Sequence, residues 1–121
     1  MEAERYIPDN SLNERVFFYG TLRTGESNHP QLNAIDCIRL HAKTTIRGDV
    51  FRTHYKFPCL LEGLGLVEGE LWVTNEAGIR HLDWFEGAPD FYERRKVKTA
   101  CGLDAWAYFG TGVQESIVRE Q

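Results

Sequence analysis

The chain has 121 residues, of which 42% are hydrophobic and 26% charged, and its formal net charge is −4. This length fits one domain with a core of its own, and the composition excludes wholesale disorder. The acidic balance argues against a nucleic-acid-binding protein, which normally has a basic face. An acidic substrate stays open, because a local pocket can differ from the average.

The cysteines and the N-terminus point to a soluble intracellular domain. Cys37, Cys59 and Cys101 are an odd number, and their spacings fit no zinc or redox motif. We therefore expect three small core-filling residues with free thiols in a reducing compartment, the cytoplasm. The first residues contain no apolar run of the signal-peptide kind, and no stretch approaches the ~20 apolar residues of a membrane span. No membrane partner is expected.

The first half of the chain predicts short strands separated by loops. Residues 1–14 are polar and predict an N-terminal arm, which leaves 15–121 as a single domain. The apolar run 16–19, ended by a glycine, predicts a buried strand. A polar loop and one or two helical turns follow. Alternation over 38–46 predicts a second strand, and Gly48 separates it from a third at 49–52.

The second half adds a helix and three more strands. Gly63-Leu64-Gly65 predicts a turn, and alternation over 67–73 predicts the fourth strand. Thr74 or Asn75 can cap a helix over 76–85 that ends near Gly87. Strands over 92–99 and 105–109 complete the series. Six short strands with few short helices predict an α+β fold, a small mixed barrel or curled sheet.

Two familiar sites are excluded by single residues or spacings. The segment 20–27 nearly spells a phosphate-binding loop, but Glu26 stands where the lysine is required, and its carboxylate would repel phosphates. The four histidines form no pair at metal-binding spacing on a helix, so no metal site is predicted.

Glu86 is the most informative titratable residue. On a helical wheel it falls between Ile79 and Leu82, in the apolar stripe, where an unpaired carboxylate is costly. Two interpretations stay open. Glu86 could lie at a frayed helix end, cap another group or pair with Arg94 or Arg95. Alternatively, it could be an inward carboxyl with a raised pKa, suited to general acid–base catalysis. Asp83 is expected to hold backbone or loop groups in place.

The second candidate site is Tyr19-Gly20-Thr21-Leu22. The glycine permits a sharp turn after a strand, and successive N–H groups of such a turn can bind an anion. An ordinary strand end is the alternative.

Three segments together resemble a known family. VFFYGTLRTG, FPCLLEGLGLVEGELW and LDWFEGAPDFYERRKV occur in that order and resemble the γ-glutamylcyclotransferase-like family over residues 16–109, near the γ-glutamylamine cyclotransferases and their small bacterial relatives. The resemblance implies a small closed β-barrel flanked by helices, with a cavity at one end. It implies that Tyr19, Gly20, Thr21 and Leu22 hold the α-carboxylate end of a γ-glutamyl group and that Glu86 is the catalytic acid/base.

The implied reaction is an internal aminolysis. The α-amine of a γ-glutamyl compound attacks its own γ-carbonyl, and 5-oxoproline and an amine are released, so neither a nucleophilic side chain nor a cofactor is needed. Tyr92 and Tyr108 are expected to line the cavity, with half-buried structural tyrosines as the alternative. A non-catalytic binding module for a small acidic metabolite and a structural interaction domain remain alternative functions. The oligomeric state is left open.

Overall fold

A computed structural model describes residues 11–52 and 58–111. Within them, one sheet and one α-helix account for most of the regular structure. The elements in chain order are β1 (Glu14–Phe18), a 3-10 helix (His29–Ala34), β2 (Cys37–Arg52), β3 (Pro58–Thr74), α1 (Glu76–Glu86), β4 (Tyr92–Lys98) and β5 (Asp104–Gly110). This mixture confirms the predicted α+β class.

The sheet has five strands in the order β2-β3-β1-β5-β4. β1 lies parallel to β5, and the β1–β3, β2–β3 and β4–β5 pairs are antiparallel. Beyond the end of β1, Leu60 of β3 pairs directly with Phe109 of β5, and this extra pairing curls the sheet. Across the described residues β2 and β4 are the two edges and no pairing joins them, so the expected closed barrel holds only approximately.

Among the described residues there are five strands rather than the expected six, because the chain near Gly48 forms a bulge within β2 and does not separate two strands. β2 and β3 form one long hairpin whose register slips between the Arg47–Leu66 and Asp49–Leu61 pairs. A Cβ atom on Gly63 would lie 1.8 Å from Asp49 Oδ2. Glycine at position 63 therefore leaves room for the Asp49 side chain across the hairpin. The strand continues through Gly63 and does not form the turn predicted there.

Side chains of the sheet form apolar clusters on both faces. One contains Phe17, Leu60, Leu71 and Phe109 among others. Val16, Phe18 and Tyr108 belong to the other, together with Ile79 and Leu82 of α1. Neighbouring β1 residues enter opposite clusters because strand side chains alternate between faces. The second cluster therefore joins α1 to the middle of the sheet.

Local signals set the ends of α1 much as predicted. The Asn75 side chain accepts a hydrogen bond from the Gly78 N–H, which caps the N-terminus. Gly87 ends the helix with φ +68°, a left-handed conformation that glycine adopts without strain. The helix extends one residue beyond the prediction and includes Glu86. Of the predicted N-terminal arm, residues 1–10 lie outside the described residues, and Glu14 begins β1 opposite Thr74.

Candidate active site around Glu86

Glu86 is the last residue of α1, and its side chain is partly buried. Burial raises the pKa of its carboxyl to about 7. No described residue donates a hydrogen bond to this carboxyl or forms an ion pair with it. The predicted alternative of pairing with Arg94 or Arg95 is wrong, because Arg94 pairs with Asp83 and Arg95 with Glu62 and Glu93. The burial of Glu86 and its raised pKa agree with the interpretation of an inward carboxyl.

Three tyrosines lie near enough to this carboxyl to interact with it electrostatically. Tyr19 directly follows β1, Tyr92 begins β4 and Tyr108 lies in β5. Burial raises the pKa of each phenol, and the charge of Glu86 adds to that rise in all three. The sheet therefore brings together residues that the sequence separates by as many as 89 positions.

Each tyrosine hydroxyl donates its proton to a group other than Glu86. The Tyr19 hydroxyl donates to the backbone carbonyl of Tyr108 (2.8 Å) and accepts from the N–H of Leu60 (3.3 Å). The Tyr92 hydroxyl donates to the carbonyl of Pro58 (2.9 Å). The Tyr108 hydroxyl donates to Asp83 Oδ1 (2.6 Å). A hydroxyl has one proton, so none of these groups is left to donate to Glu86.

Asp83 fastens α1 to the two strands next to it. It accepts two hydrogen bonds from the Arg94 guanidinium, at 2.9 and 3.2 Å, besides the bond from Tyr108. Arg94 lies over the Trp106 ring, 4.2 Å from its centroid. We expected Asp83 to hold backbone or loop groups in place. That prediction is wrong, because its carboxylate binds the side chains of Arg94 and Tyr108.

The loop from Tyr19 to Leu22 turns sharply at Gly20. The Gly20 carbonyl accepts from the backbone N–H of Arg23 (3.2 Å) and from its Nε (2.9 Å). None of the described residues accepts a hydrogen bond from the N–H groups of Gly20, Thr21 or Leu22. The Leu22 side chain is buried in the cluster beneath α1. Leu22 can therefore contact a ligand through its backbone but not through its buried side chain.

Glu70 of β3 is a functional candidate that the sequence did not indicate. Both of its carboxylate oxygens accept from the N–H of Thr24 (3.0 and 3.1 Å), and Oε1 also accepts from Trp72 Nε1 (3.0 Å). Burial raises the pKa of Glu70, but the bonds from Trp72 and Thr24 and the charge of Arg39 outweigh it, so the pKa is lowered. Trp72 lies two positions after Glu70 on the same face of β3. This large side chain was the one signal in the sequence that the face is covered.

A separate cavity of about 430 Å³ lies at the Gly110 end of β5. Its lining contains none of the predicted site residues and consists of Leu61, Glu62, Glu93, Arg95, Phe109, Gly110 and Thr111. Since side chains alternate along β4, Glu93 and Arg95 face away from the side occupied by Tyr92 and Arg94. The charges at this cavity pair with one another.

The described ranges contain neither a metal-binding cluster nor a helix that could span a membrane. No group of three or more histidine, cysteine or acidic residues there is arranged to hold a metal ion. Within residues 11–52 and 58–111, no helix is long and apolar enough to cross a membrane.

Comparison with known proteins identifies the family. The model of the family described as "Gamma-glutamyl cyclotransferase, AIG2-like" matches residues 16–120. The chain belongs to this family. The membership confirms the resemblance seen in the sequence and the class of function, a γ-glutamylcyclotransferase-type enzyme.

Individual relatives agree with the family assignment. A relative from Methanocaldococcus jannaschii, provisionally named gamma-glutamylcyclotransferase, is 32% identical over 101 residues, which cover 79% of this chain and 83% of that protein. The gamma-glutamylaminecyclotransferase of Homo sapiens is 37% identical over 93 residues, 69% of this chain and 60% of the human protein. The crystal structure of an AIG2-like protein from Mus musculus aligns with a TM-score of 0.72 at 22% identity, covering 81% of this chain and 77% of that one. This last likeness shows the fold alone.

Proposed function

We propose that this cyclotransferase releases 5-oxoproline and a free amine from a γ-glutamyl amine or amide, with Glu86 as the general acid/base. The observation that carries the proposal is the Glu86 carboxyl, whose pKa is raised to about 7 by burial and which has no partner among the described residues. General acid–base catalysis is most efficient when the pKa of the catalytic group lies near the working pH. A carboxyl engaged in an ion pair would lack this property.

The proton movements balance with Glu86 alone. The α-amine nitrogen of the substrate attacks the γ-carbonyl carbon, and the Glu86 carboxylate takes the proton that this nitrogen loses. The bond from the γ-carbon to the leaving nitrogen then breaks, and the Glu86 acid returns the proton to that nitrogen. Because the nucleophile belongs to the substrate, binding contributes mainly by holding the chain folded for attack.

The turn after β1 is proposed to bind the negative charge of the substrate. The N–H groups of Gly20, Thr21 and Leu22 have no acceptor among the described residues, and unpaired N–H groups in a turn suit a carboxylate or a developing oxyanion. Tyr19 connects this turn to the catalytic group, because its side chain lies within the electrostatic reach of Glu86. Tyr19 therefore belongs to the proposed anion-binding turn and also interacts electrostatically with Glu86.

Tyr92 and Tyr108 are proposed to line the substrate pocket as shape-forming groups. Their hydroxyl protons are already donated to Pro58 and Asp83. They can therefore accept hydrogen bonds from a substrate amine but have no proton left to stabilise an oxyanion. This division leaves oxyanion stabilisation to the backbone N–H groups.

We also propose the cytoplasm as the location and residues 15–121 as one domain. Cys37, Cys59 and Cys101 are all free thiols, which supports a reducing compartment. Of the three, Cys59 is buried as expected of a core-filling residue, whereas Cys37 is half-buried and Cys101 exposed, so that part of the prediction is wrong for them. All five strands belong to one sheet, which supports a single domain.

The proposed reaction is tested by measuring 5-oxoproline release from a panel of γ-glutamyl amines, γ-glutamyl amino acids and glutathione. We expect release from at least one member of the panel, and the preferred member identifies the leaving amine. A non-catalytic binding module would bind glutamate or 5-oxoproline in a thermal-shift experiment while releasing nothing from any substrate, and that combination would contradict the proposal.

A further inference from the structure

None of the three tyrosine hydroxyls that interact with Glu86 donates a hydrogen bond to it, because each donates to another acceptor. Each acceptor that they use is a carbonyl or carboxylate oxygen, which has no proton to give, so each hydroxyl must be the donor. Two of these acceptors, the carbonyls of Tyr108 and Pro58, belong to the backbone. The third, Asp83, is a side chain three positions before Glu86 on α1, and residues three apart on a helix are neighbours on its surface. The Tyr108 hydroxyl, 2.6 Å from Asp83 Oδ1, therefore lies on the same side of α1 as Glu86.

We propose that Asp83 is a positioning residue for Glu86: by accepting the Tyr108 proton, it prevents that hydroxyl from donating to the Glu86 carboxylate and keeps Glu86 basic. This inference rests on the proposed function, in which Glu86 acts as the base. A hydrogen bond to the charged form of a carboxyl favours that form and lowers its basicity. Asp83 would therefore control Glu86 through Tyr108, without touching the substrate.

The charge of Asp83 does not by itself explain an effect on the pKa of Glu86, because Arg94 largely neutralises it. Arg94 makes a two-pronged ion pair with it, and the same guanidinium lies over Trp106, which fixes its position. The pair fixes the Asp83 carboxylate in an orientation that offers Oδ1 to the Tyr108 hydroxyl. Arg94 thus supports the acceptor, and Tyr108 carries its effect to Glu86.

The other groups that act on this cluster come from every neighbouring element. Tyr19 after β1, Tyr92 on β4 and Tyr108 on β5 each interact electrostatically with Glu86. Cys59 of β3 acts on Tyr19 and Tyr92. Arg94 is a cation that acts on Tyr108, and Asp83 already engages it. Loss of Asp83 therefore changes one donor, the Tyr108 hydroxyl, and releases one cation.

A double-mutant cycle separates those two consequences. The pKa of Glu86 is measured by NMR titration of side-chain ¹³C-labelled glutamate in the full chain, with the resonance assigned by its absence in Glu86→Gln. Asp83→Ala is expected to lower the Glu86 pKa by about one pH unit, because the freed hydroxyl can donate to the carboxylate. In the Tyr108→Phe background the same substitution is expected to have less than half this effect, since only the charge change remains.

Equal lowering in both backgrounds would overturn the proposal, as would no lowering at all. Tyr108→Phe alone keeps the Asp83–Arg94 pair and is therefore the safer variant for folding. It should leave the Glu86 pKa nearly unchanged, whereas a rise of about one pH unit would show that the hydroxyl already donates to Glu86 and would also overturn the proposal. Glu76→Gln, which removes an exposed carboxylate from the same helix, is the control and should change nothing.

The titration needs neither substrate nor turnover, so it can be judged apart from the proposed reaction. If the wild-type chain releases no 5-oxoproline from any γ-glutamyl compound, the proposed function fails while the cycle still tests the role of Asp83. If the chain is active, the acid limb of its kcat/KM profile should move to lower pH in Asp83→Ala and return toward the wild-type position in the double variant. A limb that stays in place would contradict the positioning role.

Discussion

A carboxyl group at the end of a surface helix ordinarily finds water or a cation, whereas Glu86 is largely withdrawn from water and has no hydrogen-bond or ion-pair partner among the described residues. Its environment therefore favours the neutral acid, and its pKa rises to about 7. The consequence at the residue scale is that ionised Glu86 works against the fold. A group whose pKa is higher in the folded than in the unfolded chain contributes stability below its unfolded pKa, and that stability is lost as the pH rises through the folded value.

Replacing Glu86 with glutamine should therefore stabilise the protein at alkaline pH. The neutral amide avoids the buried charge, and the gain is expected to reach up to about 3 kcal/mol at about pH 8.5, with little gain at about pH 4.5, where the carboxyl is already protonated. Urea denaturation of both chains at the two pH values measures the difference. An equal gain at both pH values would mean that ionisation of Glu86 is not its cause.

The loop after β1 and the strand beneath it form the relevant unit at the element scale. Glu70 of β3 fixes the loop through Thr24, because it accepts from the Thr24 N–H and hydroxyl. The hydrogen-bonded Glu70 lies only 8% exposed. The shape of the turn at Gly20–Leu22, four residues earlier at most, thus depends on a carboxylate from another element.

Glu70→Gln should weaken substrate binding more than it slows turnover. The amide supplies one acceptor oxygen where the carboxylate supplied two, and a lost bond of this charged kind corresponds to a rise in KM of about tenfold, with a smaller change in kcat. Steady-state kinetics of 5-oxoproline release give both constants. Glu68→Gln is the matched control, since Glu68 lies two positions away on β3, is exposed and pairs with Lys43; an equal rise in KM for that variant would remove the special role of Glu70.

The sequence predicted those elements whose signals are local. The α1 helix follows from its cap, its apolar stripe and Gly87, all within a few positions. The long β2–β3 hairpin could not be predicted in the same way, because its bulge depends on Asp49 meeting Gly63 across the sheet. Similarly, Glu86 was visible on its own helical wheel, whereas Glu70 was missed because its partner Thr24 lies 46 positions away.

At the scale of the whole molecule, one curled sheet carries apolar clusters on both faces, and the site forms where α1 meets the cluster that contains Tyr108. Leu82 joins these parts. It is fully buried, with 0% exposure, in the same helix that ends at Glu86. The packing of Leu82 therefore supports both the stability of the fold and the position of Glu86.

Leu82→Ala should lower the free energy of unfolding by about 2–5 kcal/mol, because it leaves a cavity between helix and sheet. Leu64→Ala is the control, since Leu64 is 90% exposed on the β3 bulge; its effect should stay within about 0.5 kcal/mol. Chemical denaturation of both variants measures the difference. Comparable losses would show that Leu82 does not join α1 to the core as described.

The most direct test of the whole account is the release of 5-oxoproline by Glu86→Gln, measured with the best γ-glutamyl substrate of the wild-type chain. The amide keeps the size of the side chain but cannot accept and return a proton. We expect turnover to fall by at least about a hundredfold, as for the loss of a general acid/base, while the affinity for 5-oxoproline stays close to the wild-type value. Near-normal release by this variant would contradict the assignment of Glu86 as the catalytic group.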